Sequence, residues 1–171
     1  MTELAPRFHI CWKSPKECPP KELAIFEDLV LLGNEVDPDG FPGRIRRAER
    51  LIFCSAGELV IGVAGLKRPG AGYRNDTAEK SNLDLSEEDW PLEFGWVFVC
   101  PSARGHQISY HLLACGLDGI NSGVFATSRA DNPWIHSPMV KAGFVQEGER
   151  YVSARHGGNM LVFRRAANSG P

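Results

Sequence analysis

The chain predicts a mixed α/β (α+β) fold organised on one sheet. Three observations carry that reading. Residues 51–67, LIFCSAGELVIGVAGLK, place two apolar runs on either side of Ala56-Gly57-Glu58, the pattern of a β-hairpin. Residues 92–113, LEFGWVFVCPSARGHQISYHLL, join a strand-like run rich in Val, Phe and Trp to a proline, a glycine-containing turn and a helix with apolar Ile108, Leu112 and Cys115. After them, strand and helix patterns alternate and the chain finishes on two short strands.

At 171 residues without a break in composition, the sequence reads as one domain over residues 1–171. Hydrophobic residues are 43% and charged residues 23%, enough to bury a sizeable core and against global disorder. A net charge of −2 supplies no global basic footprint, so nucleic acid is not an expected partner. No apolar run approaches the roughly 20 residues of a membrane span, and MTELAPRFHI lacks the regions of a signal peptide; the expectation is a cytoplasmic protein with no membrane partner. The five cysteines are odd in number and contain no Cys-x-x-Cys pair. They read as reduced thiols, and a zinc site from His9, Cys11 and Cys18 lacks knuckle spacing, so no metal is expected.

In chain order, Phe8 to Trp12 is a first strand. Pro19 and Pro20 precede KELAIFEDLVLLGN, where Leu23, Phe26, Leu29 and Val30 share a helical stripe and Gly33 or Asn34 stops it. The segment DPDGFPG is a turn, and GRIRRAER is a short helical piece whose arginines 44, 46, 47 and 50 read as a solvated face rather than a phosphate site. After the hairpin, Arg68 to Pro91 reads as a long polar loop. It reads as a substrate-facing loop or a disordered insertion; its acidic run Asp84 to Asp89 favours a cationic acceptor such as an amine, and Tyr73-Arg74-Asn75 is an open candidate to meet one. The helix after the central run ends near Gly116 to Gly119, and Val124 to Thr127 is another strand. Asp131 or Asn132 caps a helix from Pro133 through Lys141, closed by Gly143. Strands at Phe144 to Gln146 and Met160 to Phe163 flank a turn at Gly157-Gly158-Asn159.

The functional centre is the strand, turn and helix start of residues 92–113. The first amides of a helix lack partners within it and carry the positive end of the dipole, so such a turn suits a phosphate-bearing ligand. Here the residues resemble the GNAT superfamily of acyl-CoA-dependent N-acetyltransferases. Val99-Cys100-Pro101-Ser102-Ala103-Arg104-Gly105 matches the family's strand ending in V-x-P and the R-G that follows. Asn132 through Gly143-Phe144 matches its Asn, helix and G-F block, and Gly57 to Gly62 its hairpin element in looser form. The resemblance covers residues 50–148 best.

That resemblance implies a mostly antiparallel sheet of six to seven strands, helices on both faces and a splayed central strand pair. It implies acetyl-CoA as co-substrate and an amine acceptor, with Phe98, Val99, Arg104, Gly105, His106, Gln107, Ile108, Ser109 and Asn132 along the cofactor. Two departures stand out. Gln107 occupies the place of the first glycine of the family's loop and Ser109 that of the last small residue; with a negative φ, Gln107 can still present its amide with its side chain turned away. Met139 stands where many members have a tyrosine that protonates the leaving thiolate, and a thioether has no proton to give.

Acetyl transfer from a thioester needs a neutral amine, an amide donor for the oxyanion, and proximity, which contributes about 7–11 kcal/mol in favourable cases. Histone acetyltransferases of the superfamily imply Glu93 as general base, eleven residues before Arg104. Burial among Leu92, Phe94 and Trp96 is expected to bring it into the working range. His136, with Ser137, is the candidate acid or water relay in place of Met139. Trp96 and Phe98 read as core. Exposed strand edges near the C-terminus make a homodimer an expected assembly. The competing reading is an acyl-CoA-binding or protein-interaction module that kept the fold and lost catalysis.

Overall fold

A computed structural model describes residues 7–155 and 157–168. Met1 to Pro6 of the N-terminal segment read above lie outside the described residues. Seven strands form one sheet in the order β1-β2-β3-β4-β5-β7-β6. They are β1 Phe8–Lys13, β2 Arg50–Ala56, β3 Leu59–Lys67, β4 Leu92–Val99, β5 Val124–Arg129, β6 Val145–Val152 and β7 Asn159–Arg165. Every neighbouring pair is antiparallel except β4 and β5. The helices are α1 Pro20–Leu32, α2 Phe41–Arg46, α3 Ala71–Ser81, α4 Ile108–Leu117 and α5 Pro133–Lys141.

The hairpin strand β2 shows why the apolar runs are continuous rather than alternating. Leu51 and Phe53 face one core with Phe26 and Val30 of α1 and Phe41 and Ile45 of α2. Ile52 and Cys54 face the other, with Ile108, Leu112 and Leu113 of α4. A strand covered on both faces gains from an apolar side chain at every position. Close approach of α4 to the sheet depends on Gly62, where a Cβ would stand 3.2 Å from the Ile108 side chain.

The segment from Arg68 to Pro91 differs from its expectation as a loop, because it contains α3. No apolar stripe announces this helix, since its buried face is Arg74, Thr77 and Ser81. Arg74 is 5% exposed and its guanidinium donates to the carbonyls of Leu85 (3.1 Å), Trp90 and Pro91 (3.3 Å). One side chain thus satisfies backbone acceptors that a structureless connection would leave to water. The C-terminal end of α3 comes down on β6 at Gly148, which has φ +75° and would place a Cβ 2.5 Å from the Ser81 carbonyl oxygen.

The arginines of residues 44–50 separate once folded. Arg50 belongs to β2, donates to the carbonyls of Gly116 (3.2 Å) and Asp118 (2.6 Å), and lies 3.9 Å over the Trp12 ring. All five cysteines are free thiols.

Candidate active site

The two central strands diverge. Parallel pairing between β4 and β5 covers Leu92 with Val124 and Glu93 with Phe125, and then stops. Beyond that point their backbones bound an open cleft of ≈ 1910 Å³. The divergence has a local cause in β4. Pairing with β3 shifts register between Val63 and Gly65, and Trp96 takes φ +53°, the bend of a β-bulge. A non-glycine residue there is strained, and packing holds it. The Trp96 ring stacks edge-on against Phe41 (5.1 Å) and Phe26 (6.2 Å) and covers Gly65, where a Cβ would lie 2.5 Å from the ring. Trp96 is partly buried: it packs against the core of α1 and α2 and also lines the cleft, and the glycine in β3 makes room for its indole.

At the closed end of the cleft lies Glu93, 2% exposed. Leu92 and Phe94 point into the α4-side core, so strand alternation sends Glu93 to the opposite face. It is not enclosed by apolar side chains alone, as its neighbours in sequence suggested. Lys67, its register partner on β3, brings Nζ to 2.9 Å from one carboxylate oxygen. The other oxygen accepts from the Tyr73 hydroxyl at 2.9 Å and the Thr127 hydroxyl at 3.3 Å. Both carboxylate oxygens therefore meet a donor. Tyr73 as a residue is 45% exposed, but its hydroxyl is held between Glu93 and Thr127, 3.1 Å from the latter. Burial of that hydroxyl, then the Glu93 charge, pushes the phenol well above its ordinary value. Tyr151 of β6 also lines the cleft, and burial followed by the Glu93 charge moves it up to about 12.

Lys67, Thr127 and Tyr151 had not been singled out in the sequence, and Tyr73 only as a residue facing an acceptor. The one available signal was a lysine closing the apolar run of β3 opposite the first acidic residue of β4.

At the open end, β4 leads through a short 3₁₀ turn, Pro101–Ala103, into α4. Gly105 has φ +88° and Gln107, the cap of α4, has φ +56°. The condition of a negative φ at Gln107 is therefore not met: the turn imposes the left-handed conformation that suits a glycine, at a cost of about 1–2 kcal/mol for an ordinary residue. Its carbonyl accepts the first bond of α4 from the His111 amide at 3.2 Å, while its side-chain oxygen lies 3.4 Å from Lys141 Nζ.

The remaining predicted residues distribute as follows. Phe98, Val99, Arg104, Gly105, Gln107, Ile108, Ser109 and Asn132 all line the cleft. Arg104 folds back so that Nε donates to the Val99 carbonyl at 3.2 Å. Ile108 is buried in the α4 core. The His106 ring packs on Phe8, with centroids 5.4 Å apart, and is not among the side chains lining the cleft. Asn132 begins α5, but its side chain makes no capping bond, and Asp131 is engaged by Arg129 at 3.0 Å.

His136, expected as acid or relay, is likewise absent from the cleft lining, although its partner Ser128 does line it. Its Nε2 lies 3.1 Å from the Ser128 hydroxyl and 3.1 Å from the Arg129 carbonyl, and its ring is 5.1 Å from Phe163. The helical phase of α5 turns this side chain onto β5 and β7, so it fastens the helix to the sheet. Ser137 and Met139 do line the cleft, Met139 being 2% exposed.

No family model matches the chain, and no curated protein does. Solved structures do. An acyl-CoA N-acyltransferase from Pseudomonas aeruginosa superposes with a TM-score of 0.67 at 15% identity, over 94% of this chain and 100% of that one. A GNAT family acetyltransferase from Streptococcus agalactiae gives 0.65 at 11% identity, over 94% and 96%. A Bacillus subtilis acetyltransferase in complex with CoA gives 0.61 at 16% identity, over 94% and 99%. With the seven-stranded mixed sheet, its helices on both faces and its diverging central strands, the chain has the fold of the GNAT acyltransferases.

Proposed function

We propose that this protein is an N-acyltransferase that moves an acetyl group from acetyl-CoA directly to an amine. The observation that carries the reading is the cleft between β4 and β5, with the turn into α4 at one end and a buried, hydrogen-bonded carboxylate at the other. Solved relatives of the fold bind CoA, as the Bacillus subtilis complex does.

In this reading the turn of residues 104–109 and the N-terminus of α4 receive the pyrophosphate through the amides of residues 105–109, the Arg104 amide being taken by the Pro101 carbonyl at 3.3 Å, an arrangement favoured by unpartnered helix-start amides and the helix dipole. The β4 backbone beyond Glu93, which has no β5 partner, offers amides to the oxyanion. Glu93 takes the proton of the incoming ammonium, directly or across the Tyr73 hydroxyl. The freed nitrogen attacks the thioester carbon, and as the C–S bond breaks the nitrogen gives up its second proton to solvent and the thiolate leaves. Tyr73, still protonated at neutral pH, is the available proton donor now that His136 faces the sheet and Met139 has no proton. The open edge of β6, with Val145 and Val152 exposed, is where a second copy would add in the expected homodimer.

The alternative, a catalytically silent CoA-binding module, is favoured by Met139 and by the ammonium of Lys67 on Glu93. Two measurements separate the readings. A ligand at a hundred times its dissociation constant stabilises the native state by about 2.7 kcal/mol, seen as a melting shift. A shift with acetyl-CoA plus thiol release on an amine panel supports the enzyme. A shift without turnover supports the module, and no shift removes both.

A further inference from the structure

The cleft carries positive charge that its own carboxylates do not neutralise. Among the described residues, eight basic side chains line it against four acidic ones, in a chain whose net charge is −2. All four carboxylates are already engaged: Glu93 by Lys67 at 2.9 Å, Asp76 by Lys80 at 2.9 Å, Glu35 by Arg129 at 3.1 Å, and Asp37 by Arg155 at 3.6 Å. Arg68 turns to Glu49, at 2.6 Å. Three guanidinium groups then remain without a carboxylate among the described residues: Arg104, Arg44 and Arg47.

These three fall in two places. Arg104 belongs to the turn at the end of β4 and lies against the Val99 carbonyl. Arg44 and Arg47 lie in and just after α2, on the other side of Trp96. Contacts connect them to the carboxylate: Arg44 sits 5.3 Å over the Phe41 ring, Phe41 packs 5.1 Å from Trp96, and Trp96 is 5.4 Å from the Lys67 ammonium that holds Glu93. The Arg44 guanidinium donates to the backbone carbonyls of Asp37 and Asp39, and the Arg47 guanidinium has no hydrogen-bond or ionic partner among the described residues. The acidic run Asp84 to Asp89, expected to attract a cationic acceptor, does not line the cleft.

A polycationic acceptor finds no free carboxylate here, whereas an amine that also bears an anion finds two guanidinium groups that no carboxylate neutralises. The rim also limits size. The pair Glu35–Arg129 and the bond from Arg155 to the Val36 carbonyl, 2.9 Å, join the α1–α2 connection to β5 and to the β6–β7 connection. We propose that the acceptor is a small amine carrying an anionic group, a carboxylate or a phosphate, received by Arg44 and Arg47. This rests on the acyltransferase reading above.

The test is steady-state thiol release with acetyl-CoA on matched acceptors. These are free α-amino acids against their C-terminal amides, aminoalkyl phosphates against the parent amino alcohols, and spermidine. The anionic member of at least one pair should exceed its neutral partner about tenfold or more in kcat/KM, and the pair that does so identifies the anion. Arg47→Ala, alone and with Arg44→Ala, should raise the acceptor KM about tenfold and erase that preference, with the acetyl-CoA KM within about twofold of wild type. Equal or better use of amides, amino alcohols or spermidine overturns this proposal and leaves the acyltransferase reading standing. A raised acetyl-CoA KM in the variants overturns it too, by assigning the guanidinium groups to the cofactor's phosphates. Absence of thiol release with every amine removes the acyltransferase reading and this one with it.

Discussion

Lys67 and Glu93 are register partners on β3 and β4, and their ammonium and carboxylate meet 2.9 Å apart where Glu93 is 2% exposed. Removing one member of a buried pair leaves an uncompensated charge, which typically costs about 3–5 kcal/mol. Lys67→Met should therefore destabilise the protein by about that amount in urea denaturation. Glu93→Gln should cost less, because Lys67 is 17% exposed and can turn to water while the amide oxygen still accepts from Tyr73. Equal losses for the two variants would show that the pair is not the element holding this end of the cleft.

Tyr73→Phe removes the hydroxyl that bridges Glu93 and Thr127. If that hydroxyl moves protons in the reaction, kcat should fall roughly 10²-fold with the acetyl-CoA KM little changed. A kcat within about twofold of wild type excludes the phenol from the proton path.

Tyr151 supplies a pH signature. Its phenol is raised from 10.0 to about 12, first by burial and then by the Glu93 charge, so the folded state holds this proton more tightly than the unfolded chain. The contribution is complete below about pH 10 and is lost as pH rises through about 12, so stability should fall across that window. Tyr151→Phe should flatten the slope between pH 10 and 11.5, measured by urea unfolding. An unchanged slope would falsify this assignment.

Gln107 stands at φ +56° where the turn favours glycine. Gln107→Gly should leave stability unchanged or raise it by up to about 1 kcal/mol, relief of the left-handed strain being partly offset by chain entropy. It should also strengthen the melting shift given by acetyl-CoA, since the backbone can then approach a phosphate without a side chain in the way. A weakened shift would place the pyrophosphate elsewhere.

Gly65→Ala forces a methyl group against the Trp96 ring, 2.5 Å from its nearest atom. Overpacking of this kind costs about 1–3 kcal/mol. Because Trp96 sets the bulge that parts β4 from β5, binding of acetyl-CoA should weaken together with stability, seen as a smaller melting shift.

Elements that bury an apolar face were legible in the sequence. The β2–β3 hairpin, the central strand with α4, and α5 from Pro133 to Lys141 lie where periodicity and stop signals put them. Helix α3 was not legible because Arg74, Thr77 and Ser81 form its buried face, and their burial depends on carbonyls supplied by a distant connection. At the site, Glu93 could be read from its distance to Arg104, but its partners come from β3, α3 and β5, and no local pattern records which side chains a sheet brings face to face. The same limit hid the orientation of His136: spacing put it one turn from Met139, while helical phase turned it to Ser128 and Phe163.

The most direct test of the central claim is single-turnover acetyl transfer by Glu93→Gln alongside wild type across pH 6–9, with acetyl-CoA and the best amine found. Loss of a general base predicts a rate constant lower by about 10²–10⁴-fold with acetyl-CoA affinity preserved. A Glu93→Gln rate constant and pH profile matching those of wild type would contradict the account.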